Sequence, residues 1–151
     1  MIIYIASDHA GYVCKNMLID YLYKDKDKDK DKDTCNTIIN LGPNTNESCN
    51  YPDYANKLSS EIKNDNIFGI LLCGTGIGMS IAANRNKHIR CALCHNAFTA
   101  EMSRLHNNAN VLAIGVKYKN DIEIKEIVDT FINTSFSNEP RHINRINLLS
   151  E

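Results

Sequence analysis

The stretch Ile67-Phe-Gly-Ile-Leu-Leu-Cys73-Gly-Thr-Gly-Ile-Gly78 decides the fold. Its first seven residues contain no charged or amide side chain, and such a run is typical of a strand that is buried on both faces of a parallel sheet. The three glycines that follow predict a sharp turn into a helix that begins near Met79. A strand, a tight turn and a helix in this order form the repeating unit of an α/β fold.

The same alternation continues on both sides of this stretch. Apolar runs predict five strands, and the segments between them have helical periodicity. We therefore expect an α/β fold, a three-layer sandwich with a five-stranded parallel Rossmann-like sheet and helices on both faces, in one domain over residues 1–151. The predicted strands are 2–6, 37–41, 67–73, 90–94 and 111–115, and the predicted helices are 10–23, 52–63, 79–86, 97–106 and 122–136, with a last short helix after Pro140.

Residues 24–33 are five successive Lys-Asp pairs, a low-complexity insertion between the first helix and the second strand. On a helix this alternation places like charges four residues apart, and on a strand it leaves no apolar face. We expect a solvated loop without chemistry, and a docking function is the alternative.

The bulk composition excludes several classes of protein. The 151 residues, of which 43% are hydrophobic, suffice for one core. The 17 basic and 18 acidic residues nearly cancel, so we expect neither a nucleic-acid nor a membrane partner. The N-terminal residues do not resemble a signal peptide, and no run is long enough to span a membrane. The sequence thus predicts a cytoplasmic protein.

The six cysteines are at positions 14, 35, 49, 73, 91 and 94, mostly within apolar runs. Cys91-Ala-Leu-Cys94-His95 matches the attachment pattern of a c-type haem. The segment is also a predicted strand, and residues three apart on a strand point to opposite faces. We therefore expect buried thiols in a reducing compartment, with neither haem nor metal bound there.

Chemically useful side chains follow the predicted strands, where parallel sheets bind their ligands. Asp8 and His9 follow the first strand, and Cys73 ends the third. Asp8 could simply cap a helix, and the glycine turn could serve packing alone. Further along lie Arg104, His106, Asn107, Asn108 and an arginine pair one helical turn apart, Arg141 and Arg145. A structural histidine and a solvated helix face are the simpler explanations for these.

The glycine loop is a poor match to a dinucleotide site. Its glycines are Gly74, Gly76 and Gly78, whereas the dinucleotide fingerprint has its third glycine one residue later and follows the first strand. The loop does offer backbone N–H groups at a helix N-terminus, which suit an anion and favour the thiolate form of Cys73. A thiolate beside such donors can take a proton from carbon while the donors stabilise an enediolate.

Four motifs carry a resemblance to a known family. They are Ser7-Asp8-His9-Ala10-Gly11, Tyr51-Pro-Asp-Tyr-Ala55, Cys73-Gly-Thr-Gly-Ile-Gly-Met-Ser-Ile-Ala-Ala-Asn84 and Ser103-Arg-Leu-His-Asn-Asn-Ala-Asn-Val-Leu-Ala113. With Arg141-His142 and Arg145 they resemble, in the same order along the chain, the ribose-5-phosphate isomerase B family, which is itself similar to galactose-6-phosphate isomerase subunits.

The resemblance implies an aldose–ketose isomerase that interconverts ribose 5-phosphate and ribulose 5-phosphate. In it Cys73 is the general base that moves a proton between C1 and C2, and Thr75 shuttles a proton. His106, assisted by Asp8, opens the sugar ring. The implied substrate-binding residues are His9, Tyr51, Gly74, Gly76, Ile77, Gly78, Asn107, Arg141 and Arg145, of which His9 and the two arginines would hold the phosphate.

No metal or cofactor is implied, and the implied partner is a small sugar phosphate. The resemblance further implies a homodimer or a dimer of dimers with shared active sites, in which His106 comes from the neighbouring subunit. Two alternatives remain open at this point. One is an isomerase of a six-carbon sugar phosphate, allose or galactose 6-phosphate, and the other is a nucleotide-binding module.

Overall fold

The structure is a computed structural model that describes residues 1–25 and 36–149. Five strands and six helices follow one another along the chain. The strands are β1 (Ile2–Ser7), β2 (Thr37–Asn40), β3 (Ile67–Cys73), β4 (Cys91–Leu93) and β5 (Val111–Gly115). The helices are α1 (Tyr12–Asp25), α2 (Tyr51–Glu61), α3 (Ile77–Ala83), α4 (Ala97–Asn107), α5 (Asp121–Asn133) and α6 (Pro140–Leu149).

The five strands form one parallel sheet in the order β2-β1-β3-β5-β4. Strand β3 is buried along its whole length, as its sequence predicts. In the register of the sheet Ser7 pairs with Leu72, and Cys73 pairs with Gly115. The carboxyl ends of the three central strands therefore meet at one edge, which we call the carboxyl edge.

Alternate residues of each strand enter two separate cores. Phe68, Ile70 and Leu72 of β3 pack on one face with residues of α1, α4 and α5. Leu71 and Cys73 pack on the opposite face with residues of α2 and α3. The predicted three-layer α/β fold is thus confirmed. Helix α6 lies outside these layers and contacts α4.

The two cysteines of the haem-like pattern belong to different cores. Cys94 is buried with the α1, α4 and α5 side, whereas Cys91 packs against the core of α2 and α3. The expectation that they point to opposite faces is confirmed, because a strand of pleated backbone separates the two thiols.

Several element boundaries differ from the sequence-based prediction, each for a local reason. Helix α3 ends at Ala83 rather than near residue 86 because residues 84–86 form tighter turns, in which the Arg85 and Asn86 N–H groups donate to carbonyls three residues back. The Asn84 side-chain amide pairs with both backbone groups of Cys91. Helix α5 ends at Asn133 because Thr134 is extended. Helix α1 includes the first Lys-Asp pair, Lys24 and Asp25, which was predicted as loop. Residues 26–33 of that tract lie outside the described residues.

Helices α3 and α6 are among the helices that expose apolar side chains to solvent. On α3, Ile77 and Ile81 are 52% and 53% exposed and lie one turn apart. On α6, Leu148 and Leu149 are 57% and 68% exposed, and His142 is the buried residue of this helix. Such faces on helices commonly mark contact surfaces. None of the described helices is both long and apolar enough to cross a membrane.

Gly11 allows β1, α1 and β3 to approach closely, and its substitution tests this contact. A Cβ atom at position 11 would lie 2.5 Å from the carbonyl oxygen of Leu72, which is rigid backbone. We expect Gly11→Ala to lower the free energy of unfolding by roughly 1–3 kcal/mol, measured by denaturant titration. Gly74→Ala is the control, because its Cβ would meet only the Cβ of Ala10 at 3.9 Å. Equal stability of the two variants would contradict the prediction.

Candidate active site

Cys73 ends β3 at the carboxyl edge, where its buried thiol faces the glycine loop. The Gly76 N–H donates to the Cys73 Sγ atom at 3.0 Å. Gly76 has a φ of +77°, a left-handed conformation that favours glycine. Within the described residues the Gly74 and Thr75 amides donate to no protein acceptor. One amide of the loop thus donates to the thiol, and the Gly74 and Thr75 amides can donate to a ligand.

Residues that follow β5 form backbone hydrogen bonds with the start of the glycine loop. The Val116 N–H donates to the Cys73 carbonyl at 3.0 Å, and the Lys117 N–H donates to the Gly74 carbonyl at 3.1 Å. A Cβ atom on Gly115 would lie 2.5 Å from the Thr75 backbone, so only glycine fits beside the loop. These contacts fix the loop relative to the sheet before any ligand binds.

Asp8 and His9 follow the carboxyl end of β1, which is the strand beside β3 and Cys73. The Asp8 N–H donates to the Leu72 carbonyl at 3.0 Å, and the Asp8 Oδ1 atom accepts the Gly11 N–H at 3.0 Å. This second bond matches the simpler expectation that Asp8 closes the turn into the first helix. His9 is exposed, and its Nδ1 atom faces the Cys49 N–H at 3.4 Å.

Tyr51 opens α2 and covers the glycine loop. Its ring lies where a Cβ atom on Gly78 would be, with the ring carbon Cζ only 2.6 Å from that position. The side chain is 41% exposed, so one edge of the ring faces solvent at the carboxyl edge. The structure therefore brings nine predicted positions together at the carboxyl edge: Asp8, His9, Tyr51, Cys73 and the loop residues Gly74, Thr75, Gly76, Ile77 and Gly78.

The other predicted residues lie elsewhere in the same chain. Helix α4 begins beside the carboxyl end of β4 and ends at Asn107, near Arg90 and Asn110, which precede β4 and β5. His106 and Asn107 are thus at the amino edge of the sheet. The length of β5, roughly 13 Å at 3.3 Å per residue, separates this edge from Cys73. One chain does not unite all the predicted residues.

His106 belongs to a cluster formed by α4 and α6. Its ring lies 4.4 Å from the ring of His142, measured between centroids, and the Nδ1 atom of His142 lies 2.8 Å from the Ser137 hydroxyl. Burial, together with the nearby His106 and Arg141 side chains, lowers the pKa of His142. His142 is therefore neutral at physiological pH and can pack against the other ring without charge repulsion.

Arg141 and Arg145 are exposed on α6, as expected of a pair one helical turn apart. The Arg141 Nε atom donates to a Glu139 carboxylate oxygen at 2.7 Å. This bond holds the pKa of Glu139 below its usual value. Arg145 has no ion-pair partner in the described part of the chain. The two arginines, the Glu139 carboxylate and His106 lie in one region of the surface.

Arg104, which stood beside His106 among the candidates, is structural. The residue is 6% exposed and its guanidinium lies 4.6 Å from the centre of the Phe68 ring. It donates to the carbonyl oxygens of Thr134 and Ala109. It therefore ties the start of β5 to the segment after α5, away from solvent.

A cavity of about 460 Å³ opens between the ends of α3, α4 and α6 and does not reach Cys73. Its lining includes Lys87, Arg90, Asn107 and Leu149. It lies beside the His106 cluster rather than beside the thiol. Among the described residues, no group of three His, Cys, Asp or Glu side chains could hold a metal ion.

The sequence did not predict the contact between His106 and His142. A signal was present, because His142 and Ile146 are four residues apart in an amphipathic helix and are its least exposed residues. That spacing places both on the inner side of α6. The identity of the ring that they meet depends on how α6 folds back on α4, which sequence periodicity does not specify.

Known proteins resemble this chain along nearly its whole length. Residues 3–149 match the Ribose/Galactose Isomerase family. The chain is 44% identical over 135 residues to a putative sugar phosphate isomerase of Rickettsia bellii, covering 89% of this chain and 88% of the relative. It is 36% identical over 147 residues to a probable ribose-5-phosphate isomerase B of Mycoplasma genitalium, covering 95% of this chain and 90% of the relative.

A solved ribose 5-phosphate isomerase of Thermotoga maritima superposes with a TM-score of 0.89 at 41% identity, covering 99% of this chain and 97% of that one. The fold and these relatives thus define an α/β enzyme, an isomerase. More particularly, the chain belongs to the Ribose/Galactose Isomerase family.

Thiol reactivity tests the local environments of the cysteines. Burial and the nearby Asp121 carboxylate raise the pKa of Cys14 to about 12, and burial also raises the pKa of Cys91 and Cys94. At pH 8 Cys14 then carries roughly a thousandfold less thiolate than an ordinary cysteine, and only the thiolate reacts. Timed alkylation with iodoacetamide and peptide mapping should find Cys73 and Cys49 modified before Cys14.

The Cys73→Ala variant identifies the corresponding peptide in that map. The prediction is wrong if Cys14, which is the more exposed residue, is alkylated as fast as Cys73.

Proposed function

We propose that this chain interconverts ribose 5-phosphate and ribulose 5-phosphate through an enediolate, with Cys73 as the general base. The observation that carries the proposal is the Cys73 thiol with the Gly76 N–H on its sulfur, at an edge where further loop amides have no protein acceptor. Hydrogen bonds to an anion lower its energy, so these donors suit both a thiolate and an enediolate.

The isomerisation needs one proton moved between two neighbouring carbons. Cys73 removes the proton from C2 of the open-chain aldose and returns it to C1. The negative charge that develops on oxygen is stabilised by the amides of the loop that includes Gly74 and Gly78. The Thr75 hydroxyl, two residues from the base, moves the proton between the two oxygens. No step requires a metal or a cofactor.

The ring-opening residue comes from a second subunit in this proposal. His106 lies at the amino edge of its own sheet, too far from Cys73 of the same chain for a shared substrate. A homodimer, or a pair of such dimers, that sets the α4–α6 cluster of one subunit against the carboxyl edge of the other would complete the site. The exposed Ile77 and Ile81 of α3, and Leu148 and Leu149 of α6, support such an interface because their burial is favourable.

The substrate phosphate would be held by groups from both subunits. His9 at the carboxyl edge of one subunit and Arg141 and Arg145 of its partner supply three exposed donors. Asn107 of the partner would assist the enediolate, and Asp8 would assist ring opening. Tyr51, placed over the glycine loop, would form one wall for the sugar.

A five-carbon substrate is favoured over the alternatives. Relatives from Mycoplasma genitalium and Thermotoga maritima bear the name of ribose 5-phosphate isomerases, which favours this substrate over a six-carbon sugar phosphate. The same comparisons do not favour a nucleotide-binding module. We also propose a cytoplasmic location, which the free thiols of the five described cysteines support.

The assignment of the base predicts that Cys73→Ala eliminates measurable isomerisation. General acid–base groups contribute on the order of 10²–10⁴ in rate, so a coupled assay with ribose 5-phosphate will detect the loss. Cys94→Ala is the matched control, because it removes another buried thiol from the opposite face of the sheet. Cys94→Ala should keep kcat within a few-fold. Near-normal turnover by Cys73→Ala would refute its role as base.

The shared site predicts that two inactive variants complement each other. Cys73→Ala and His106→Ala homodimers should each be nearly inactive. A mixed dimer has one site with both changes and one with neither, so dimers purified through two different tags should show about half the parental activity. If His106 serves the site of its own subunit, each site keeps one change and verified mixed dimers stay inactive.

A further inference from the structure

Lys15 is a buried cation without a counter-ion. The residue is 0% exposed, and its Nζ atom donates to the side-chain oxygens of Asn16 at 3.0 Å and Asn40 at 2.9 Å. No carboxylate of the part of the chain that the structure describes lies within ion-pair distance of Nζ. Buried ammonium groups are normally paired with a carboxylate because removing the charge from water is costly.

The position of Lys15 in the fold adds further positive potential around its ammonium group. Lys15 lies in the first turn of α1, which begins at Tyr12. The helix dipole places partial positive charge at the same end, so it disfavours a cation there and favours an anion. The Tyr12 ring, whose centroid is 5.4 Å from Nζ, is the remaining neighbour that partly offsets the charge.

A short chain of hydrogen bonds links Lys15 to the carboxyl edge. The Asn40 Oδ1 atom that accepts from Lys15 also accepts the Gly42 N–H at 2.9 Å. The Gly42 carbonyl in turn accepts the Ser7 N–H at 3.0 Å. Ser7 directly precedes Asp8 and His9. The ammonium therefore lies beneath the loops that follow β1 and β2 and is connected through Asn40 and Gly42 to the strand exit that carries His9.

We propose that Lys15 determines specificity for anionic substrates, because Asn40 leaves its charge uncompensated beneath the site and the substrate phosphate offsets that charge on binding. Lys15 does not touch the phosphate and acts through the electrostatic potential. The inference rests on the proposed function, in which His9 contacts the phosphate. A unit charge beneath a site, at an effective dielectric constant of about 20, changes anion affinity roughly three- to tenfold.

The decisive variant is Asn40→Asp, which gives Lys15 a counter-ion with nearly the same side-chain shape. The new carboxylate can keep the bonds to Lys15 and Gly42 while neutralising the ammonium. Lys15→Met removes the charge directly. Lys57→Met is the control, because Lys57 is an exposed lysine whose Nζ atom donates to the Leu41 carbonyl, next to Asn40 in the chain.

Three measurements on the full-length variants test the inference. They are calorimetric titration with inorganic phosphate, kcat and KM for ribose 5-phosphate, and the temperature of unfolding. In Asn40→Asp we expect the Kd for phosphate and the KM to rise roughly three- to tenfold, kcat to stay within twofold, and the unfolding temperature to be equal or higher. Lys15→Met should weaken phosphate binding similarly, and Lys57→Met should match the parent.

A phosphate Kd of Asn40→Asp within twofold of the parental value overturns the inference, as does a parent that does not bind phosphate. A lower unfolding temperature of Asn40→Asp also overturns it, because the ammonium would then need no counter-ion. The proposed function is judged separately. A parent without isomerase activity whose phosphate affinities follow the expected order refutes the function alone, whereas an active parent with unchanged affinities refutes the role of Lys15 alone.

Discussion

The arrangement of the carboxyl edge depends on the contacts that the carbonyl group of Leu72 makes with Asp8 and Gly11. The carbonyl accepts the Asp8 N–H at 3.0 Å and lies against the Cα atom of Gly11, where a side chain would not fit. This contact fixes the exit of β1 beside the end of β3, one residue before Cys73. Because backbone groups make it, the positions of the acid, the imidazole and the thiol follow from the register of the sheet. Side-chain packing then needs only to orient them.

Much of this arrangement was predictable from local sequence patterns. The apolar run 67–73 and the glycines after it specified a buried strand and a turn, and both lie where expected. The same rule of strand ends placed Asp8 and His9 with Cys73, since parallel strands share a carboxyl edge. The fold class and this half of the candidate site therefore need only periodicity and topology.

The remainder depends on contacts between residues that are distant in sequence, which periodicity does not encode. Arg104 is of a residue type that often binds anions at a site, yet its guanidinium packs against Phe68 and belongs to the core. Lys15 is three and seven residues before Leu18 and Leu22, so it shares their buried stripe on α1, but Asn40, one of the two side chains that accept its hydrogen bonds, comes from β2. The separation of His106 from Cys73 likewise follows from the direction of α4, which runs back along the sheet after β4.

This separation has a consequence for the proposed enzyme. If each site combines the carboxyl edge of one subunit with the α4–α6 cluster of another, a single chain binds neither phosphate nor sugar completely. Activity then requires association, and substrate that contacts both subunits stabilises the dimer by mass action. The same apolar side chains of α3 and α6 would serve stability and catalysis together. Selection for an intact site would therefore also preserve an interface whose residues never touch the substrate.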